Sequence, residues 1–166
     1  MEALFARRSI RKYTSQPVPD EAIEYMLRAA MCAPSAYNEQ PWHFVVIRDR
    51  QLLDKIADFH PHAKMLYEAP LAVVVCCDQN LVKAEWFWPQ DCSAATQNIL
   101  IAAKAKGLGT VWCGVYPRQE LVDGMKKLLN LPENVTPFSL IAVGYPAEEK
   151  PPADRYDPSR VHYDRW

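Results

Sequence analysis

Leu71-Ala72-Val73-Val74-Val75-Cys76-Cys77 is an unbroken apolar run with three consecutive valines. A strand with one wet face alternates apolar and polar side chains. A run without alternation, rich in β-branched residues, reads as a strand covered on both faces. The stretch therefore predicts a sheet with helices above and below it. Outward from it, the segments alternate between periods. On the N-terminal side, Asp20 caps a helix whose Ile23, Met26, Leu27, Ala30 and Met31 recur at i, i+3, i+4, i+7 and i+8, one apolar stripe. Trp42–Arg48 is β-rich and Gln51–Phe59 is amphipathic. On the C-terminal side, Pro89 suits the first turn of a long helix to about Lys106, and Gly107 stands where a helix end needs positive φ. Thr110–Val115 reads as a strand, Arg118–Leu129 as a helix interrupted by Gly124, and Ser139–Gly144 as the last strand between Pro137 and Pro146. With a short basic helix at the start, the order is α, α, β, α, β, α, β, α, β. That is a three-layer arrangement around one sheet of about four strands.

The chain has 166 residues, 49% hydrophobic and 23% charged, the length of one domain able to hold a core unaided. Nineteen Lys and Arg against twenty Asp and Glu leave a net charge of −1, so no overall field draws nucleic acid or an anionic membrane to it. The longest apolar run, Ala69–Cys77, is about half of what a spanning helix needs, and Met1–Lys12 is too charged for a signal peptide. The expectation is a soluble, cytoplasmic protein. Five cysteines without C-x-x-C spacing argue against a disulfide framework and a zinc knuckle and read as small core residues. Fourteen prolines against five glycines imply many fixed turns. Ala147–Trp166, with Pro151, Pro152 and Pro158 and the ending Val161-His162-Tyr163-Asp164-Arg165-Trp166, forms no core alone. It is expected to lie extended on another surface, of this subunit or of a partner.

Three constellations carry chemistry. Arg7-Arg8-Ser9-Ile10-Arg11 gathers guanidiniums and a hydroxyl that suit a phosphate monoester; the plain alternative is a solvated helix end. Ala33-Pro34-Ser35-Ala36-Tyr37-Asn38-Glu39-Gln40-Pro41-Trp42 offers uncharged donors and acceptors between prolines, suited to a neutral heterocycle or a polyol. Its alternative is a polar turn bonding its own backbone. Gly107-Leu108-Gly109-Thr110-Val111-Trp112-Cys113-Gly114 puts glycines at both ends of a short strand. A ligand can approach there, with the amide of Cys113 or Gly114 as donor. Neither dinucleotide nor P-loop glycine spacing is present, nor a G-x-S-x-G elbow. The pair His60-Pro61-His62 reads as an exposed loop rather than a metal site. Electron chemistry, if any, falls to a cofactor.

In this order, with D-C-S-A-A-T-Q-N at Asp91–Asn98 and the V-H-Y-D-R-W ending, the motifs resemble those of the nitroreductase family of FMN-dependent oxidoreductases, from Arg7 to the C-terminus. The resemblance implies an α+β fold with a mostly antiparallel sheet, completed by the C-terminal strand of a partner in an intertwined homodimer. Residues 1–166 would form one domain, with the tail 147–166 exchanged and FMN at the interface. It places Arg7, Arg8, Ser9 and Arg155 on the FMN phosphate, and Arg11, where many members have Lys, near the pyrimidine edge of the ring. Pro34, Ser35, Ala36 and Asn38 would come from the partner. Val111, Trp112, Cys113 and Gly114 would run along the ring with the Cys113 amide at N5, and Lys64 would aim at the flavin. No side chain is implied as catalytic and no metal is expected.

The implied activity is hydride transfer from NADH or NADPH through flavin N5 to a nitroaromatic, quinone or activated alkene, with ping-pong kinetics. Trp86, Phe87, Trp88 and Tyr37 are candidates for the substrate wall, against ordinary packing. The alternatives are a flavin storage or sensor module with little turnover and a flavin-free dimeric adaptor.

Overall fold

A computed structural model describes residues 2–151 and 153–166 of the chain. The elements are α1 (Glu2–Ala6), α2 (Asp20–Met31), β1 (Trp42–Ile47), α3 (Arg50–Phe59), β2 (Leu71–Asp78), α4 (Trp88–Ala105), β3 (Gly109–Gly114), α5 (Gln119–Leu129) and β4 (Val135–Gly144). The four strands form one sheet in the order β1-β2-β4-β3, with every neighbouring pair antiparallel. β2 is buried from Leu71 through Cys77. Its alternate residues Leu71, Val73, Val75 and Cys77 pack with α2 and α4, while Ala72, Val74 and Cys76 pack with α3 and α5. The three layers read from the Val-rich run are thus present.

Local chemistry sets the boundaries. The Asp49 side chain accepts from the N–H groups of Gln51 and Leu52 and caps α3. Past α4, Gly107 takes φ 75°; its N–H donates to the Lys104 carbonyl and that of Leu108 to Ala103 (3.0 and 2.9 Å), the paired bonds of a Schellman end. Two expectations need correction. The residue before α2 is Pro19 with no side-chain cap; Asp20 is instead paired with Arg48. β4 does not start at Ser139 but runs through Pro137, because the β2–β4 register shifts between Val75 and Cys76. A bulge tolerates the missing proline donor. The α2 stripe is also narrower than its spacing suggested: Ile23, Met26 and Ala30 are buried, whereas Met31 is 56% exposed.

Four of the five cysteines are buried, and Cys32 is exposed. Among the described residues, no helix is long and apolar enough to cross a membrane, and no group of three His, Cys, Asp or Glu could hold a metal ion.

Candidate functional site

The basic head is laid along the free edge of β3. Ser9 bridges to Thr110 in parallel, and the Ile10 N–H donates to the Thr110 carbonyl at 2.9 Å. Gly109 makes this approach possible, since a Cβ there would lie 2.8 Å from the Ile10 side chain. The start of the tail folds back onto the same head. Ala147 N–H donates to the Lys12 carbonyl (2.9 Å), the Arg11 N–H to Glu148 Oε1 (2.5 Å), Lys150 Nζ to the Ser9 carbonyl (2.6 Å) and Arg8 Nε to the Pro151 carbonyl (2.9 Å). Residues 147–151 of the tail thus pack on the head of the same chain, ahead of the segment 153–166. Its aromatic side chains are exposed, with Tyr156 at 74%, Tyr163 at 83% and Trp166 at 101%; Pro152 lies outside the described residues.

Head and tail enclose a cleft of about 300 Å³ whose charged lining is Arg7, Arg8, Lys104 and Lys150 against Glu148 and Glu149. Within the cluster Arg7 is anomalous. Its Nε is buried without a hydrogen-bond partner among the described residues, and its pKa is lowered, first by burial and then by the charges of Arg155 and Arg8. An unpaired guanidinium nitrogen among like charges is a costly arrangement that an anion with several acceptor oxygens would relieve. The residues present therefore fit a phosphate group. Arg8 differs, since it donates to the Phe5, Arg7 and Pro151 carbonyls and holds backbone in place. Arg155, distant in sequence, is brought close enough to act on Arg7.

A second cleft, of about 460 Å³, is lined by Arg11, Pro61, His62, Lys64, Met65 and Val111–Gly114. Its β3 residues and both of its cationic side chains are among those the motifs single out. The Lys64 ammonium also donates to the Ala57 carbonyl at 2.6 Å, at the end of α3. Because Thr110 directs its carbonyl outward to Ile10 and Gly114 directs its carbonyl to His60, ladder alternation turns Thr110, Trp112 and Gly114 to the open edge and Val111 and Cys113 toward β4. Of the two amides expected at the ring, the Gly114 N–H is the one this alternation turns to the open edge, while Cys113 stays in the cleft lining.

The Pro34–Asn38 segment stands apart from both clefts. Pro34, Ser35 and Ala36 line a separate depression with Phe87, Gln90, Asp91 and Ala94. The loop is strained: Tyr37, Asn38 and Gln40 have φ of 49°, 53° and 47°, a left-handed conformation that non-glycine residues adopt at a cost. Two carboxylates hold it. Asp91 Oδ1 accepts the Ala36 N–H at 3.0 Å, and Glu39 Oε2 accepts the N–H groups of Lys83 and Ala84 at 2.7 and 3.2 Å. Burial raises the Asp91 pKa against the lowering effect of the Ala36 bond, with a further push from Glu39. Inside the loop Ser35 Oγ accepts the Gln40 N–H, and the Gln40 amide donates to Asn38 Oδ1. Of the aromatic candidates, Trp88 is core, 4.6 Å from Tyr116 between ring centroids, whereas Trp86 and Tyr37 are each 81% exposed.

Sequence reasoning missed three residues. His60 is not exposed but fully buried, and neither Asp91 nor Glu39 received a role. A histidine between a helix end and a proline carries no signal of burial. For Asp91, a lone acidic residue on an otherwise apolar helix face was the available clue.

The nitroreductase family model matches residues 4–64 and 60–145. A protein of Methanothermobacter thermautotrophicus, named "Putative NADH dehydrogenase/NAD(P)H nitroreductase", is 52% identical over 166 residues, covering 100% of this chain and 87% of its own. Among solved structures, an FMN-dependent nitroreductase of Clostridium difficile superposes with a TM-score of 0.92 at 29% identity, covering 100% of both chains. The NADPH:FMN oxidoreductase of Vibrio harveyi complexed with NAD+ gives 0.84 at 26% identity, covering 99% of this chain and 76% of that one. Whole-length agreement in sequence and in backbone makes this chain a member of the nitroreductase family.

Proposed function

We propose that the chain is an FMN-dependent oxidoreductase that takes hydride from NADH or NADPH and passes it to a small electron acceptor of the nitroaromatic, quinone or activated-alkene class. The observation that carries the reading is the buried, unpartnered Arg7 Nε within the Arg7–Arg8–Arg155 cluster, beside a cleft walled by the open edge of β3. Bound FMN supplies the electron chemistry, accepting and releasing hydride at its N5 position. Arg7 and Arg155 hold the phosphate with the Ser9 hydroxyl, and Arg8 positions the head through its carbonyl bonds. The Arg11 charge, in the lining of the second cleft, would stabilise negative charge on a ring bound there. The Gly114 N–H fixes ring orientation. No side chain is needed as acid or base.

The site is completed by a second copy of the chain. Pro34, Ser35, Ala36 and Asn38 lie away from the clefts of their own subunit, on a loop whose strain and carboxylate clamps suit a surface presented to a partner. The tail end, whose Tyr156, Tyr163 and Trp166 are exposed in the single subunit, is the complementary element, adding a strand to the partner's sheet.

The test is anaerobic addition of NADH or NADPH to the flavinated protein. Loss of the yellow flavin absorbance within seconds, followed by parallel double-reciprocal lines with an acceptor, supports the enzyme and its ping-pong order. Persistent colour with both nicotinamides identifies a storage or sensor module instead.

A further inference from the structure

Both ring nitrogens of His60 are engaged. Nδ1 accepts the His62 N–H at 3.2 Å, so the proton lies on Nε2, which donates to the Gly114 carbonyl at 2.9 Å. Burial keeps the ring neutral by lowering its pKa, against the opposing pull of the Gly114 bond. One residue back along β3, the Cys113 thiol donates to the His62 carbonyl at 3.2 Å. Its pKa is raised to about 11 by burial, so it stays a thiol and keeps its donor. Two successive β3 residues are thus tied to two ends of the His60-Pro61-His62 turn. That turn and Lys64–Met65 form one wall of the 460 Å³ cleft and Val111–Gly114 the other, with His60 itself behind the lining.

We propose that His60 and Cys113 form a clasp that sets the separation of these walls, and that His60 is a positioning residue which holds the Gly114 carbonyl out of the cleft, so that at this end of β3 the Gly114 N–H faces a ligand ring without a competing acceptor from its own residue. The inference rests on the flavin reading, because that ring is the ligand whose N5 edge accepts such a donor. A carbonyl released from His60 would present lone pairs to the same edge, and on the side of β3 away from β4 no other donor among the described residues is bonded to the Gly114 carbonyl. Neighbouring charge comes from His62 and Arg118.

The test compares wild type with His60→Ala, His60→Gln and Cys113→Ala. The readouts are FMN affinity by fluorescence titration, the two-electron potential of bound flavin by dye equilibration, and the His60 tautomer by nitrogen-15 shifts of the cofactor-free protein. The expected results are an Nε2–H tautomer, at least tenfold weaker FMN binding in His60→Ala, and a potential moved by about 30 mV, the equivalent of a tenfold change in relative affinity of the two redox forms. Glutamine, which can accept from His62 and donate to Gly114, restores part of both. An unchanged potential and affinity in His60→Ala, or a proton on Nδ1, would overturn the proposal. Should the His60 variants not fold, Cys113→Ala opens the clasp from the other end, and wild-type values there would overturn it equally. Failure of wild type to bind FMN would sink the functional reading instead, and the tautomer would still report on the clasp.

Discussion

Arg7→Ala separates phosphate recognition from head stability more sharply than any other substitution in the basic cluster. Arg7 has a buried Nε without a partner and repulsive neighbours in Arg155 and Arg8, so in the cofactor-free protein its removal costs little stability. With FMN bound, the same side chain would make at least one charge-assisted hydrogen bond, worth about 1.5–3 kcal/mol. At about 1.4 kcal/mol per decade, the dissociation constant for FMN should rise roughly 10- to 150-fold. Riboflavin, which lacks the phosphate, provides the control: its weaker binding should be unchanged by the substitution. Titration of cofactor-free protein with each flavin, followed by flavin fluorescence, measures both constants. Equal losses for FMN and riboflavin would mean that Arg7 supports the cleft generally, and wild-type FMN affinity would mean that the phosphate lies elsewhere.

Arg8→Ala should behave oppositely, lowering thermal stability in the absence of cofactor because the Phe5, Arg7 and Pro151 carbonyls lose their donor; a melting curve checks this. Gly109→Ala forces a Cβ to within 2.8 Å of Ile10 and should cost about 1–3 kcal/mol of stability while weakening FMN binding by displacing the head, seen in denaturant unfolding and flavin titration. Truncation before Arg155 should abolish both dimerisation and FMN retention, read by light scattering and absorbance; a yellow dimer would contradict an exchanged tail. His60 also makes stability pH-dependent. Its folded pKa lies below 6.5, so as pH falls through about 6.5 the unfolded chain binds a proton that the folded chain resists, and unfolding free energy declines by up to about 1.4 kcal/mol per pH unit. His60→Gln should flatten that slope in urea titrations between pH 5 and 7.5.

The layered fold was readable because its signals are local. The run Leu71–Cys77 could not alternate if both faces were covered, and Gly107 could not be replaced cheaply at a positive-φ helix end. Pro137 misled, since proline marks a strand boundary unless a bulge receives it, and bulges depend on the neighbouring strand's register. The second cleft was legible because most of its residues lie on one strand. The relation of Arg155 to Arg7 came from the family resemblance rather than from spacing. What remained hidden, the burial of His60 and the Asp91 and Glu39 clamps, depends on segments separated by up to 55 residues, and no periodicity encodes such meetings.

The double-sided burial of β2 has a consequence for how the molecule opens. Since one strand supplies knobs to both helical layers, neither layer can melt while the other keeps its floor intact, and the sheet centre has no low-cost partial excursion. Amide protons of β2 and β4 should exchange only through global unfolding. Both clefts lie along β3 at the sheet edge, so a ligand enters and leaves without the interior ever loosening.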